Sequence, residues 1–144
     1  MSLAGALGVL DGLTIAGVTT SYGYDAMPGV LGDALLPALV IEPFDTFNDA
    51  MRAANVNADV GSCVVWVRHK LIIKGVGLGP FTTRLSVAVT LFDAYITAIA
   101  ADMTLSGNLL EPLTIPNAAW GAFEHVGAMY WGIVFDHRWV LNIS

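Results

Sequence analysis

The stretch from Pro80 to Gly107 constrains the fold most, because its apolar residues recur at helical spacing over the longest distance. Pro80 suits the first turn of a helix, since proline lacks the N–H group that a first turn leaves unpaired. Apolar side chains then return every three or four residues, at Leu85, Ala88, Phe92, Tyr95 or Ile96, and Ile99. The polar side chains form only a narrow stripe. We therefore expect a long helix that is buried on two sides, by its own sheet and by a neighbouring molecule.

The low charge content of the chain points the same way. Charged residues make up 12% of the 144 residues, which is about half of their share in a typical soluble domain. Asp93 interrupts the best candidate for a membrane span, and the N-terminus lacks the basic region of a signal peptide. We expect a soluble obligate oligomer with no membrane partner that stays in the cell where it is made.

Net charge and motifs exclude several function classes. The formal charge of −6 makes the chain a poor candidate for gripping nucleic acid. Cys63 is the single cysteine, and its apolar neighbours predict a buried, inert thiol. The glycine-rich run from Gly75 to Gly79 lacks the last glycine of a dinucleotide fingerprint and the lysine of a phosphate loop, so it predicts a flexible turn. No cofactor and no enzymatic activity are expected.

The pattern predicts one domain, residues 1–144, whose first part (1–36) is a short helix followed by a partner-facing loop. Ser2 is the expected cap of the helix, which ends near Gly12. An extended piece is expected near Ile15–Val18. Three side chains of the loop are candidates for contacting a neighbour, with coverage of the core edge as the alternative: Tyr22, Tyr24 and Met27.

The second part (37–144) is predicted to be a core of sheet and helix. Strands are expected at Leu36–Pro43 and Cys63–Lys74, and a hairpin at Ala119–Val126 and Met129–Ile143. The connection from Phe44 to Gly61 is expected to hold a short helix with one face formed by Phe47, Met51 and Ala54. The fold class is α+β: a small, mostly antiparallel sheet of about four strands with the long helix on one face and a short N-terminal helix.

The long strand predicts a basic face. Val65, Val67, His69, Leu71 and Ile73 point to one side and form the core face. The other side carries Arg68, Lys70 and Lys74, which we predict to be exposed and to contact a partner, together with the turn that holds Gly75, Gly77 and Gly79. Carboxylates dominate the first half of the chain, so an acidic patch of one subunit could meet this basic face of the next. Ordinary solvated charge is the alternative.

The histidines are the only catalytic candidates. His69 and His137 lie on the apolar faces of predicted strands and would approach each other if those strands are neighbours. With Asp93 or Glu124 they could bind a metal, although no spacing enforces this, and a core histidine with a backbone partner is the alternative. His125 lies near the hairpin turn and is expected to be partly exposed.

Four pieces of the chain, in this order, resemble tail terminator proteins of long-tailed bacteriophages. They are Leu36–Pro43, the strand Val65–Leu71, the end of the long helix at Asp102–Gly107, and the hairpin strand Tyr130–Asp136. The similarity spans Leu36 to Ile143 and lies in pattern and order. The connection from Phe44 to Gly61 has no match in it.

The resemblance implies a structural role in the virion. Such proteins form a ring, usually of six subunits, that caps the tail tube, ends its polymerisation and joins it to the head-side connector protein. DNA passes through the lumen without specific binding, and the ring assembles in the host cytoplasm. Two other virion proteins stay open as alternatives, a different neck protein (head-completion protein or connector adaptor) and a tail tube protein. A small metal-dependent enzyme is the alternative from another class.

Overall fold

A computed structural model describes residues 2–42, 51–57 and 61–142, and it shows two helices and six strands in these ranges. Helix α1 spans Leu3–Asp11 and helix α2 spans Leu85–Ala100. The strands are β1 (Thr20–Tyr22), β2 (Ala38–Glu42), β3 (Met51–Asn57), β4 (Ser62–Gly75), β5 (Thr114–His125) and β6 (Ala128–Asn142). The predicted α+β class, with one long and one short helix, is confirmed.

The strands form a single sheet in the order β1-β2-β4-β6-β5. All pairs are antiparallel except β1 with β2. Strand β2 pairs with the second half of β4, and β3 pairs antiparallel with its first half, so the two lie along successive stretches of one edge of β4. The sheet is larger than the predicted four strands because β1 and β3 join it.

Strand β3 corrects the prediction of a short helix between Phe44 and Gly61. Residues Met51–Asn57 are extended and pair with β4, while Phe47 lies outside the described residues. Met51, Ala53 and Ala54 favour a helix locally. The unpaired half of β4 offers a row of backbone hydrogen bonds, and this tertiary pairing outweighs the local preference.

The N-terminal segment follows the prediction at its helix and departs from it in the loop. The Ser2 hydroxyl accepts the Gly5 N–H at 2.9 Å and caps α1, which ends before Gly12. The predicted extended piece at Ile15–Val18 is wrong. The extended residues are Thr20–Tyr22, which begin two residues later and pair in parallel with β2.

The predicted faces of β4 and β6 are confirmed. Their registers place Val65 opposite Trp139 and Leu71 opposite Ile133, and these four side chains belong to the main core cluster. A smaller cluster lies on the opposite face of the sheet, and it holds Leu31, Ala38, Val40, Ile72 and Tyr130. Two apolar faces explain why β2 is buried along its whole length, with Ala38, Leu39, Val40 and Ile41 inaccessible to solvent.

Helix α2 covers the main core with one face. Its buried side chains are Ala88, Leu91, Tyr95 and Ile99, spaced by three or four residues. The Tyr95 and Phe135 rings stack with their centroids 3.9 Å apart, which adds about 1 kcal/mol beyond the apolar area that they bury. A short 3-10 helix, Phe81–Arg84, precedes α2 after Pro80.

Candidate functional site

Three cations were predicted to form a basic face on β4. Two of them, Arg68 and Lys70, form ion pairs within the chain. Lys70 is only 7% exposed, and its Nζ donates to Glu42 Oε1 at 3.0 Å. Arg68 Nε donates to Asp136 Oδ1 at 2.9 Å, and its Nη1 lies 3.7 Å from Glu42 Oε2. The prediction that Lys70 is exposed is therefore wrong, and the Arg68 side chain is only 24% exposed; contact of either residue with a partner stays a prediction. Their partners come from the neighbouring strands β2 and β6.

Lys70 also joins β5 to this network. Its Nζ lies 5.3 Å from the centroid of the Phe123 ring and 3.4 Å from the carbonyl oxygen of Glu124. A buried lysine is tolerated when its charge is paired and its donors are used, and both conditions hold here. Lys70 of β4 thus contacts the adjacent strand β2 and, across β6, the edge strand β5.

Lys70→Met is expected to lower the free energy of unfolding by about 2 kcal/mol, because it leaves the buried Glu42 carboxylate without its closest cation. The loss stays below the usual range for a broken buried pair since Arg68 remains 3.7 Å away. Adding Glu42→Leu to Lys70→Met should restore most of the loss. Urea unfolding of the three proteins measures this, and equal losses in the single and double variants would contradict the assignment.

Lys74 and the turn after it are accessible. Lys74 lines a cleft of about 240 Å³ with Arg84 and Asp33, and no ion pair engages Lys74 or Arg84 within the described ranges. The turn forms a short 3-10 helix, Val76–Leu78, with Leu78 and Gly77 exposed. Gly79 has a φ of +129°, and its carbonyl accepts Trp131 Nε1–H at 2.7 Å. Of the predicted contact residues on this side, Lys74 and the turn remain candidates.

The early loop presents less aromatic surface than predicted. Tyr22 is half-buried against the smaller cluster, and Tyr24 is half-buried against the main core. Met27 is exposed. The two tyrosines thus cover edges of the core, which is the alternative that the sequence left open for this loop. Met27 remains a candidate for contacting a neighbour.

The largest unpartnered apolar surface in the described part of the chain lies on α2. Leu85, Val87, Val89 and Ile96 are all exposed, Val89 by 46%. A groove of about 380 Å³ runs beside this face, lined by Ala16, Gly17, Ser86, Val87, Thr90, Leu91 and Ala94. The segment Phe81–Ala100 is long and apolar enough to cross a membrane by length and composition, but its other face packs on the sheet. The sequence predicts that α2 is buried on two sides. Within the chain, α2 is buried on one side, against the sheet.

Strand β5 is a second surface of this kind. It has twelve residues, forms one edge of the sheet, and carries Glu124 as its only charge. Trp120 is 39% exposed, and its ring lies 5.3 Å from that of Phe92. Val126 and Met129 are exposed at the turn into β6. Long, nearly uncharged edge strands are sites where other chains pair.

His69 and His137 approach each other as the sequence allowed, but as a closed hydrogen-bonded cluster. The Tyr95 hydroxyl lies 2.7 Å from His69 Nδ1 and 2.7 Å from His137 Nε2. Trp139 Nε1 donates to His137 Nδ1 at 3.2 Å. Burial lowers the pKa of His69 well below its usual value and that of His137 to about 3, and it raises the pKa of Tyr95. Both imidazoles are therefore neutral at ordinary pH.

This cluster does not provide a metal site. Three ring nitrogens already have hydrogen-bond partners, and Asp93 and Glu124 are exposed rather than in the core. No group of three or more candidate ligands (His, Cys, Asp or Glu) occurs among the residues that the structure describes. His125, expected to be partly exposed, is buried, and its Nε2 lies 3.1 Å from the Pro28 carbonyl oxygen.

Sequence reasoning missed Glu42, the anion of the buried pair, and the hydroxyl of Tyr95. Tyr95 is among the helical core positions of the sequence, yet nothing in the sequence indicates that its hydroxyl joins two histidines from different strands. Glu42 follows an apolar run and precedes a proline, a setting that gives no signal of a buried partner. The chain matches no protein-family model, and no curated protein is similar enough to it to be matched.

Proposed function

We propose that the protein is a non-catalytic virion subunit that assembles with copies of itself into a ring capping a phage tail tube. The exposed apolar flank of α2, formed by Leu85, Val89 and Ile96, is the observation that carries this proposal. Exposed apolar surface of this kind, on a helix that already packs on the sheet with another face, marks a protein–protein contact. Subunits of a closed ring each need two such surfaces, and edge strand β5 with Trp120 is the second.

The mechanism is geometric. One face of the ring imitates the docking surface of the tube, and the other face lacks it, so polymerisation of the tube stops. The second face receives the head-side connector protein. A net charge of −6 suits a lumen through which DNA must pass without being held, since a cationic lumen would retain phosphates. The ring, of six subunits by the resemblance, assembles in the host cytoplasm and remains in the neck of the virion.

The element order supports the terminator over unrelated structural proteins. The short strand, long strand, long helix and hairpin of the resemblance correspond to β2, β4, α2 and β5–β6. A different neck protein and a tail tube protein stay open, because both also need self-association surfaces. Assembly behaviour distinguishes these two alternatives from a terminator. A tube protein polymerises without limit, and a head-side neck protein binds heads before tails are present.

Val89→Glu is expected to abolish ring formation while leaving the subunit folded. The substitution places a charge beside Leu85 and Ile96 on the exposed flank of α2, where an apolar contact would have to desolvate it. Val30→Glu is the matched control, because Val30 is 64% exposed and lies in the loop before β2. Light scattering of both variants measures their mass. Equal masses for the two variants, whether both rings or both monomers, would contradict the role of α2.

A further inference from the structure

The hydrogen bonds around Tyr95 permit one arrangement of protons. The indole N–H of Trp139 only donates, so His137 Nδ1 must accept. A neutral His137 then carries its proton on Nε2 and donates to the Tyr95 oxygen at 2.7 Å. The Tyr95 hydroxyl proton is left for His69 Nδ1, also at 2.7 Å, so His69 carries its proton on Nε2. The chain of donors therefore runs in one direction, from Trp139 through His137 and Tyr95 to His69.

The end of this chain is an unsatisfied donor. His69 Nε2 is buried and has no hydrogen-bond partner among the described residues. A buried donor without a partner destabilises the fold, so the three bonds that precede it must keep His69 in place. His69 lies on β4, His137 and Trp139 lie on β6, and Tyr95 lies on α2. Among the described residues, the Tyr95 hydroxyl makes the only side-chain hydrogen bonds between α2 and the sheet.

In the part of the chain that the structure describes, the surroundings of the cluster hold no charge that could balance a proton. Strand β2 places Ile41 opposite His69, and α1 and the segment before β5 contribute apolar side chains. Cys63 of β4 is the other titratable group of the core cluster. Asp136 favours protonation of His137 but pairs with Arg68 on the other face of the sheet.

We propose that the chain Trp139–His137–Tyr95–His69 is an acid-sensitive attachment that holds α2 on the sheet while both imidazoles are neutral. A proton added to His137 Nδ1 would face the Trp139 N–H, donor against donor. A proton added to His69 Nδ1 would direct a second donor at the Tyr95 oxygen and displace its hydroxyl proton. Either event breaks the attachment and leaves a buried positive charge. This inference concerns the subunit itself and does not rest on the proposed ring.

The pH dependence follows from the depressed pKa values. Both histidines have a lower pKa in the fold than in the unfolded chain, so the unfolded chain binds more protons as the pH falls below about 6.5. Stability is complete above that value and is lost as the pH falls toward the folded values. Two such histidines raise the unfolding equilibrium constant about 50-fold between about pH 6 and pH 5. His125, whose pKa burial also lowers, adds a smaller contribution.

The double variant His69→Asn/His137→Gln removes the titration and keeps the two hydrogen bonds to the Tyr95 hydroxyl, while the Trp139 N–H loses its acceptor at His137 Nδ1. The Asn oxygen occupies the position of His69 Nδ1 and accepts from Tyr95, and the Gln amide occupies that of His137 Nε2 and donates to it. We expect the 50-fold acid effect of the two histidines to be absent from this variant in urea unfolding at pH 6 and pH 5, while His125 contributes equally to both proteins. The same pH dependence in both proteins would overturn the proposal.

Nitrogen NMR of the imidazole rings of the wild-type protein tests the proton positions without any substitution. We expect both His69 and His137 to show the tautomer protonated on Nε2 at pH 7. A proton on Nδ1 of either ring, or a charged ring, would overturn the proposal even if the double variant fails to fold.

Discussion

Gly132→Ala is expected to lower the free energy of unfolding by more than about 4 kcal/mol. Gly132 lies in β6, where β4 and β5 flank it. A Cβ atom there would overlap the carbonyl oxygen of Leu71 and lie 2.8 Å from the Phe123 ring. The carbonyl belongs to the backbone of a central strand, so it cannot move aside without breaking the β4–β6 pairing.

Gly8→Ala is the control for this substitution. Gly8 lies within α1, and a Cβ atom there would meet nothing within 4 Å. The same chemical change should therefore stabilise the protein by about 0.5–1 kcal/mol, because alanine loses less backbone entropy in a helix. Urea unfolding of both variants measures the difference. A Gly132→Ala protein as stable as the wild type would show that β4 and β6 are not paired in the register described.

Tyr95→Phe is expected to cost about 4 kcal/mol, although it removes a single oxygen atom. The Tyr95 hydroxyl joins His69 Nδ1 and His137 Nε2, and its loss leaves two buried nitrogens without partners, each worth about 2 kcal/mol. The ring remains stacked on Phe135, so the change tests the hydrogen bonds and not the packing. Tyr24→Phe, at a half-buried position, should change stability by less than about 0.5 kcal/mol.

Thermal or urea unfolding at pH 7 measures both tyrosine variants. A loss below about 1 kcal/mol in Tyr95→Phe would mean that the two histidines find other partners or that water reaches them. Either result would remove the basis for treating the cluster as a closed hydrogen-bonded chain.

Alternation along β4 and β6 was predictable from the sequence because each strand has a complete row of apolar side chains. A shift of one residue in register would turn Trp139, Phe135 and Ile133 toward solvent, so the pattern determines the face that each residue occupies. The long helix was predictable for the same reason, since its spacing of three and four residues persists over several turns. These two signals account for the α+β class.

Pairing across strands was not predictable in the same way. Lys70 appears on the polar face of β4, but its partner Glu42 lies 28 residues earlier on β2, and only the register of the two strands brings them together. The basic face therefore looked exposed when it is largely neutralised. The prediction of a helix at β3 was wrong for a related reason. Residues 51–57 are extended because they pair with β4, and their own sequence does not indicate that backbone groups of β4 are available for pairing.

The mass and shape of the purified full-length protein, by light scattering and negative-stain imaging, test the proposed function most directly. We expect closed rings of one fixed size, or subunits that become rings only at the ends of tail tubes, with the exposed apolar flank of α2 buried between neighbours. Open tubes of unlimited length would identify a tube protein instead. A monomer that forms no ring with or without tubes would contradict the proposal that α2 and β5 are contact surfaces between subunits.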